Sequence, residues 1–436
     1  MQIAFLTLFL GLVNGAQQVA LDAGGGIAAI ELLLDGHGAG RIGGPPWTAT
    51  IDFGPRLAPH HLEARGLAAD GSEAARAEQW INLPRPPAEV EIVLEGGAHD
   101  KARTARLSWE SLSGEQPVQV ELRLDGVPLP LDRDGRTPVG VPVEGSAHVL
   151  SAELRFASGV EARKDVVLSS DWGGDVATEL TAIPVRAGKS GRLLTEKDLR
   201  GRFAAAGKPL QIATVEQEPP ELFVVRGPNV VSELLGKFSP REDLPVYGGF
   251  NPDPTVRFHF VANTPKVYRN PGAIGEIFDI SQELTAPKHP FVHFLVSIRF
   301  ATDLPSRSQL ADAVAVAGLH AAARQTPRAV VLVLGKKGAA DASRFDPATA
   351  RGYLAALRVP FFVWALDRRS PDLAPWGKAE DISSPRGLRG AYERLLQEVQ
   401  AQQIVWLQGR HLPQSITLAG AAAGAAALEL VTAPQR

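Results

Sequence analysis

The chain has no cysteine, a single methionine and few aromatic residues, 6% of 436. Without cysteine there is no disulfide framework, no thiolate metal site and no lipid-bearing cysteine, so the core must rely on packing alone. This absence is neutral on compartment. Neither sign of charge dominates: 45 Lys and Arg stand against 48 Asp and Glu, a formal net charge of −3. That balance gives no electrostatic reason to expect nucleic acid or an anionic membrane as a partner. Long hydrophobic runs are missing as well. The apolar stretches Ile3 to Val13 and Ile416 to Leu428 both fall short of the roughly 20 residues that a membrane-spanning helix requires, so no transmembrane anchor is expected.

What is present begins with MQIAFLTLFLGLVNGA, a short apolar run ending in small residues, although no Lys or Arg precedes it. Residues 1–16 are expected to be a signal peptide and the protein to be secreted or periplasmic; the alternative is a buried first strand. The length suggests two to four domains. In the first half, apolar residues alternate in short runs broken by Asp-Gly, Gly-Gly and Pro, as in strands joined by tight turns. One repeat is visible: IELLLDG at Ile30 to Gly36 returns as VELRLDG at Val120 to Gly126, each a period-2 strand running into an Asp-Gly hairpin. Two immunoglobulin-like β-sandwiches are therefore expected over 17–84 and 88–170, joined at Pro84, Pro86 and Pro87. The first also resembles bacterial immunoglobulin-like modules in its Pro46-Trp47 strand.

A further β segment is expected over 175–217. From Pro219 the rhythm changes to strands separated by helical periodicity, which predicts an α/β doubly wound domain over 219–408. Its helix after Ser306 places Leu310, Val314, Ala317 and Ala321 on one face, with a capping-box pattern at Ser306 and Gln309. Asp346-Pro347 starts the next helix, and Leu388, Tyr392, Leu395, Leu396 and Val399 mark the last one, leading into a strand at Ile404 to Leu407. The run FVHFLVSIRF at Phe291 to Phe300 reads as an added strand or a hairpin partner for Val256 to Val261. Residues 409–436 read as a C-terminal β-hairpin or tail.

Two stretches carry a family resemblance. LLTEKDLRGRFAAAGKPLQIATVE, Leu193 to Glu216, resembles the segment before the A domain in secreted bacterial proteins related to von Willebrand factor A. SQLADAV at Ser308 to Val314 and RAVVLVL at Arg328 to Leu334 resemble the helix and following strand of the von Willebrand factor A domain itself, with Ser308 at the position of a metal-binding Thr. The resemblance implies a Rossmann-like fold over roughly Pro219 to Leu407. It also implies a Mg²⁺ site of oxygen ligands, the metal ion-dependent adhesion site, completed by an acidic residue of a partner. The other ligands do not carry over. Gly335, followed by Lys336 and Lys337, stands where an Asp is expected, and the first acidic motif falls on Arg226, Gly227, Pro228, Asn229 and Val230. Because Mg²⁺ requires hard oxygen donors and usually carboxylate charge, no metal or cofactor is expected. Arg226, Asn229, Ser308, Gly335 and Lys336 become the candidate binding edge, where a basic group accepts a partner carboxylate.

Other constellations read as structure. His289 and His293, four residues apart on a strand, would lie about 13 Å apart, too far to share one Zn²⁺. Gly188-Lys189-Ser190 lacks the upstream glycine of a phosphate loop. Asp132 to Gly135 is too short for a calcium loop, and His60 and His61 read as an exposed strand edge. The sequence thus points to a non-catalytic extracytoplasmic protein that binds another protein. The alternatives are a structural subunit of an envelope assembly and a hydrolase using Asp303, Asp312 or Asp341 with His320.

Overall fold

A computed structural model describes residues 3–95, 102–124, 126–132, 135–140, 148–168, 180–187, 193–237, 255–267, 277–285, 294–296, 308–336, 341–419 and 428–431. These fall into two compact units, one formed by the N-terminal β-sandwiches and one by residues from 180 onward.

The first sandwich contains β1 (Ile3–Phe5), β2 (Ala16–Ala23), β3 (Ala29–Leu34), β4 (His37–Ile42), β5 (Thr48–Asp52), β6 (His60–Leu67) and β7 (Glu73–Ile81). Its sheets run β1-β2-β5 and β4-β3-β6-β7. The second contains β8 (Ala88–Glu95), β9 (Ala102–Ser111), β10 (Pro117–Leu124), β11 (Val127–Leu129), β12 (Arg136–Gly140), β13 (His148–Phe156) and β14 (Glu161–Leu168). Its sheets run β8-β9-β12 and β11-β10-β13-β14, the same order with every strand advanced by seven places. The sequence repeat is therefore a repeat of topology: the two LDG turns connect equivalent strands, β3 to β4 and β10 to β11. In the first copy both turn residues have positive φ, Asp35 at 52° and Gly36 at 81°, the condition for a tight hairpin that follows the right-handed strand twist. His60 and His61 do not lie on a sheet edge, because β6 runs between β3 and β7. His60 Nδ1 bonds Asp35 Oδ2 at 2.8 Å, and His61 stacks on Trp80 with centroids 4.2 Å apart.

The segment expected as a leader has a place inside the first sandwich. Ile3, Phe5, Leu8, Phe9 and Val13 are five of the fifteen buried residues of this core. Beyond β1, Leu6 and Thr7 still donate to Ala20 C=O of β2, and two buried amides then take over the backbone. Asn82 accepts from Val13 N–H and donates to Val13 C=O, both at 2.8 Å. Gln79 accepts from Phe9 N–H at 2.7 Å and donates to Thr7 C=O at 2.9 Å. Satisfied this way, an irregular backbone can run through an apolar core at little cost.

The second unit has a β frame and an α/β body. The frame consists of β15 (Leu180–Ala187), α1 (Glu196–Leu199), β16 (Phe203–Ala205), β17 (Lys208–Pro209) and β18 (Ile212–Glu216). Thr195 and Asp198 form the capping box of α1. The body contains β19 (Glu221–Arg226), α2 (Val230–Lys237), β20 (Arg257–Val267), β21 (Ile277–Ile280), β22 (Leu284–Thr285), α3 (Leu310–Ala323), β23 (Arg328–Leu334), α4 (Pro347–Ala356), β24 (Phe361–Ala365), β25 (Glu380–Asp381) and α5 (Pro385–Gln400). Its sheet runs β21-β20-β19-β23-β24-β25. Strands β20, β19, β23, β24 and β25 are parallel, and β21 and β22 add antiparallel to β20. β19 and β23 are buried at every position, as a strand covered on both faces must be. Asp346 caps α4 by accepting Thr349 N–H at 2.6 Å.

Three expectations change here. The strand after α5, β26 (Gln402–Gln408), does not join the parallel sheet. It pairs antiparallel with β15 and β18 in the frame, so the α/β body is inserted between two frame strands. The C-terminal strands β27 (Ile416–Leu418) and β28 (Leu428–Leu430) do not pair with each other as a hairpin; β27 adds to β16 and β28 to β15. Within 291–300 only Phe294 to Val296 are described, as a helical turn and not a strand, and among the described residues β21 and β22 pair antiparallel with β20. His289, His293, Asp303, Ser306, Lys189 and Lys337 lie outside the described residues.

Replacing Asn82 by alanine strands both backbone groups of Val13 in the core. We expect a loss of about 2 kcal/mol or more in urea unfolding, whereas an unchanged midpoint would show that residues 3–13 are not packed there. Asp35 supplies a pH signature. Partial burial raises its carboxyl, but the hydrogen bonds from His60 and His61 and their charges outweigh this, holding it below its ordinary 3.8. A lowered folded value means that this stabilisation is complete above about pH 4 and disappears as pH falls through the folded value. The stability gap between wild type and Asp35→Asn should therefore narrow below about pH 4; a gap constant down to acid unfolding would exclude Asp35 as its source.

Candidate functional site

In order of appearance the strands of the α/β sheet run 3-2-1-4-5-6. Strand order reverses between β19 and β23, and an open α/β sheet binds ligands in the crevice beyond the carboxyl ends of its strands at such a point. Arg226 ends β19 and Gly335 follows β23. The two ends are held together by Gly227 N–H bonding Val333 C=O at 2.8 Å.

The structure brings the five candidate residues to this edge, but not as an open basic surface. Arg226 is only 7% exposed. Its guanidinium lies over the Phe260 ring, 5.1 Å from the centroid, and donates through Nη1 to Leu295 C=O. Burial lowers its pKa to about 10, so it remains charged at neutral pH but turned inward. The expectation that Arg226 greets a partner carboxylate is thus corrected: cation–π attraction and a carbonyl acceptor hold it in the protein. Asn229 opens α2, and its carbonyl accepts Glu233 N–H at 3.0 Å. Lys336 is exposed.

Ser308 is placed through Asn263. Asn263 donates through Nδ2 to Arg226 C=O at 3.1 Å, and its own carbonyl accepts Gln309 N–H at 2.8 Å. Ser308 pairs in parallel with Asp341 as an isolated bridge. Its hydroxyl is buried and has no hydrogen-bond partner among the described residues.

Two carboxylates outside the five candidate residues reach this edge. Glu233, from the first turn of α2, folds back over Gly335 and accepts Lys336 N–H through Oε2. A side chain at 335 would have to push it aside, because a Cβ there would lie 2.9 Å from Glu233 Oε2. Asp341 caps α3, accepting Leu310 N–H at 2.9 Å and Ala311 N–H at 3.2 Å. Ser343 Oγ adds bonds to Ala311 and Asp312 N–H. The helix start is therefore capped from a distant loop, and Gln309, its N-cap, makes no side-chain cap bond. Asp312 returns the contact, accepting Arg344 N–H at 2.9 Å and Phe345 N–H at 3.0 Å.

These residues do not fit the Mg²⁺ that the family resemblance implies. Glu233, Asp341 and Asp312 bind backbone N–H groups, Gly335 offers no side chain, and a guanidinium ends β19. A single serine hydroxyl does not supply the oxygen donors that Mg²⁺ demands. The same bonds weaken a hydrolytic pairing. Asp312 is fully buried, and His320, eight residues further along the same helix, is about 12 Å away along the axis.

No protein-family model matches the chain, and no curated protein matches it. Among solved structures, fibronectin(III)-like modules of Clostridium thermocellum CbhA align with 41% of this chain and 100% of their own at 14% identity, TM-score 0.16. The central fibronectin-III array of RIM-binding protein aligns with 47% of this chain and 83% of its own at 13% identity, TM-score 0.20. A β-glycosidase from Bacteroides vulgatus aligns with 38% of this chain and 24% of its own at 11% identity, TM-score 0.19. At these scores the likenesses carry no argument, and the immunoglobulin-like assignment rests on strand order and pairing.

The Glu233 to Gly335 contact is testable as a pair. Gly335→Ala should cost about 0.5–1.5 kcal/mol, the net value of one hydrogen bond, by displacing the carboxylate from the exposed Lys336 N–H. Combined with Glu233→Ala, it should cost markedly less, a coupling of more than about 0.5 kcal/mol. Additive effects in thermal and urea unfolding would exclude the contact.

Proposed function

We propose that the chain is a non-catalytic, extracytoplasmic protein of adhesion type, in which immunoglobulin-like sandwiches carry a von Willebrand factor A-like α/β domain that binds a protein partner without metal. One observation carries the reading. At the point where strand order reverses, every described carboxylate is committed to backbone N–H groups, and a buried Arg226 occupies the end of β19. Such an edge is organised for shape and for short-range polar contact, not for cation capture or acid–base work. The parallel-sheet order and the SQLADAV and RAVVLVL stretches support the domain assignment. The extracytoplasmic part rests on the sequence of residues 1–16, of which Ile3, Phe5, Leu8, Phe9 and Val13 pack into a core; sequencing the N-terminus of the mature protein decides whether that segment is retained.

Metal independence has a direct measurement. Neither millimolar Mg²⁺ nor EDTA should shift the melting temperature or the amount of partner retained by the immobilised chain. A Mg²⁺-dependent stabilisation of several degrees, or partner binding abolished by EDTA, overturns the proposal.

A further inference from the structure

The same sheet edge continues past the switch point to β24 and β25, where an open groove of about 940 Å³ lies beside the start of α5. Cations converge on it from three segments: Arg368 from the loop after β24, Lys378 from the approach to β25, and Arg386 and Arg389 from α5. All four are exposed. Backbone forms part of its lining, because Gly387 and Gly390 lack side chains there. Gly387 sits so close to β25 that a Cβ would lie 2.4 Å from Asp381 C=O.

The placement of these arginines runs against local helix energetics. The positive end of a helix favours acidic side chains, yet the first turn of α5 contains no acid and does contain Arg386. Ser384 caps α5, Pro385 opens its first turn, and Leu388, Tyr392, Leu395 and Val399 form its buried stripe, which leaves Arg386 and Arg389 on the exposed side.

We propose that this groove is the docking surface for an acidic peptide segment of the protein partner. This rests on the protein-binding role proposed above and names where and by what chemistry it acts. Guanidinium groups from α5 would take carboxylates through paired N–H donors. Three carboxylates of the groove, Glu380, Asp381 and Glu393, sit among the cations, and Glu380 already holds Arg394, with Nε 3.1 Å from Oε2. That mixture, on a chain of net charge −3, suits a peptide whose acids alternate with neutral or basic residues. It disfavours a uniform polyanion, which the three carboxylates would repel.

The test uses the full chain and a fluorescein-labelled synthetic peptide of alternating Glu and Gly, read by fluorescence anisotropy at low ionic strength. Its Gln-for-Glu counterpart, heparin oligosaccharide and inorganic phosphate serve as competitors. Binding of the Glu peptide should fall about tenfold or more in Arg386→Glu/Arg389→Glu, and likewise in Arg368→Glu/Lys378→Glu, with melting temperatures unchanged. No binding by the wild-type chain overturns the inference. Equal binding by wild type and both variants also overturns it while leaving the protein-binding role standing, since that role is decided by partner retention and not by this peptide. Heparin or phosphate displacing the peptide while the peptide fails to displace them assigns the groove to polyanions and overturns the commitment to a peptide.

Discussion

Buried side-chain amides acting as substitute backbone are the interaction on which this molecule turns. Asn82 grips both polar groups of Val13 and Gln79 grips Phe9 and Thr7 in the first unit. In the second, Gln402 accepts Arg328 N–H at 3.0 Å and donates to Arg328 C=O at 3.1 Å, and Gln403 does the same for Leu194 at 2.6 and 3.1 Å. Each clamp makes the two bonds that a neighbouring strand would have made. A chain with no disulfide needs such devices where its path leaves regular structure, because a buried unpaired amide or carbonyl costs about 1–3 kcal/mol. The Gln402 clamp has a second effect: it joins the first strand of the frame's return to the start of β23 in the body.

The edge where strand order reverses follows from the same economy of polar groups. Its acids face loop and helix N–H groups, and its one buried cation faces an aromatic ring and a carbonyl. At this edge Ser308 keeps a buried hydroxyl with no partner among the described residues. Glu233 fastens the end of β23 to α2, while Asp341, Ser343 and Asp312 fasten α3 and the loop at 341–345 to one another. The exposed cations of the groove lie two strands away, among carboxylates.

Much of this was legible. Period-2 runs ending in Asp-Gly gave two sandwiches of one topology, because turn chemistry and alternation are local. The buried run Arg328 to Leu334, the Asp346-Pro347 start and the stripe of α5 were equally readable. The remainder depends on distant partners. A short apolar stretch such as Ile3 to Val13 reads alike as a leader or as core, and its bonds to Gln79 and Asn82, about seventy residues on, do not show in its own sequence. Strand Ile404 to Leu407 is hydrophobic enough for either sheet, so its transfer to the frame leaves no mark in its own sequence. Arg226 turns inward because Phe260 and Leu295 await it. Glu233 alone was within reach, since a first-turn side chain of α2 points back toward the edge from which the helix starts.

The pairing of β18 with β26 sets Glu216 opposite Ile404, so the polypeptide leaves the frame and returns to it within one strand spacing, about 5 Å. Everything between those two points is a cassette hung from a closed seam. A lineage could lengthen, exchange or shed that cargo while the frame kept its hydrogen-bonded closure, and selection on the frame and on its cargo would then proceed almost separately.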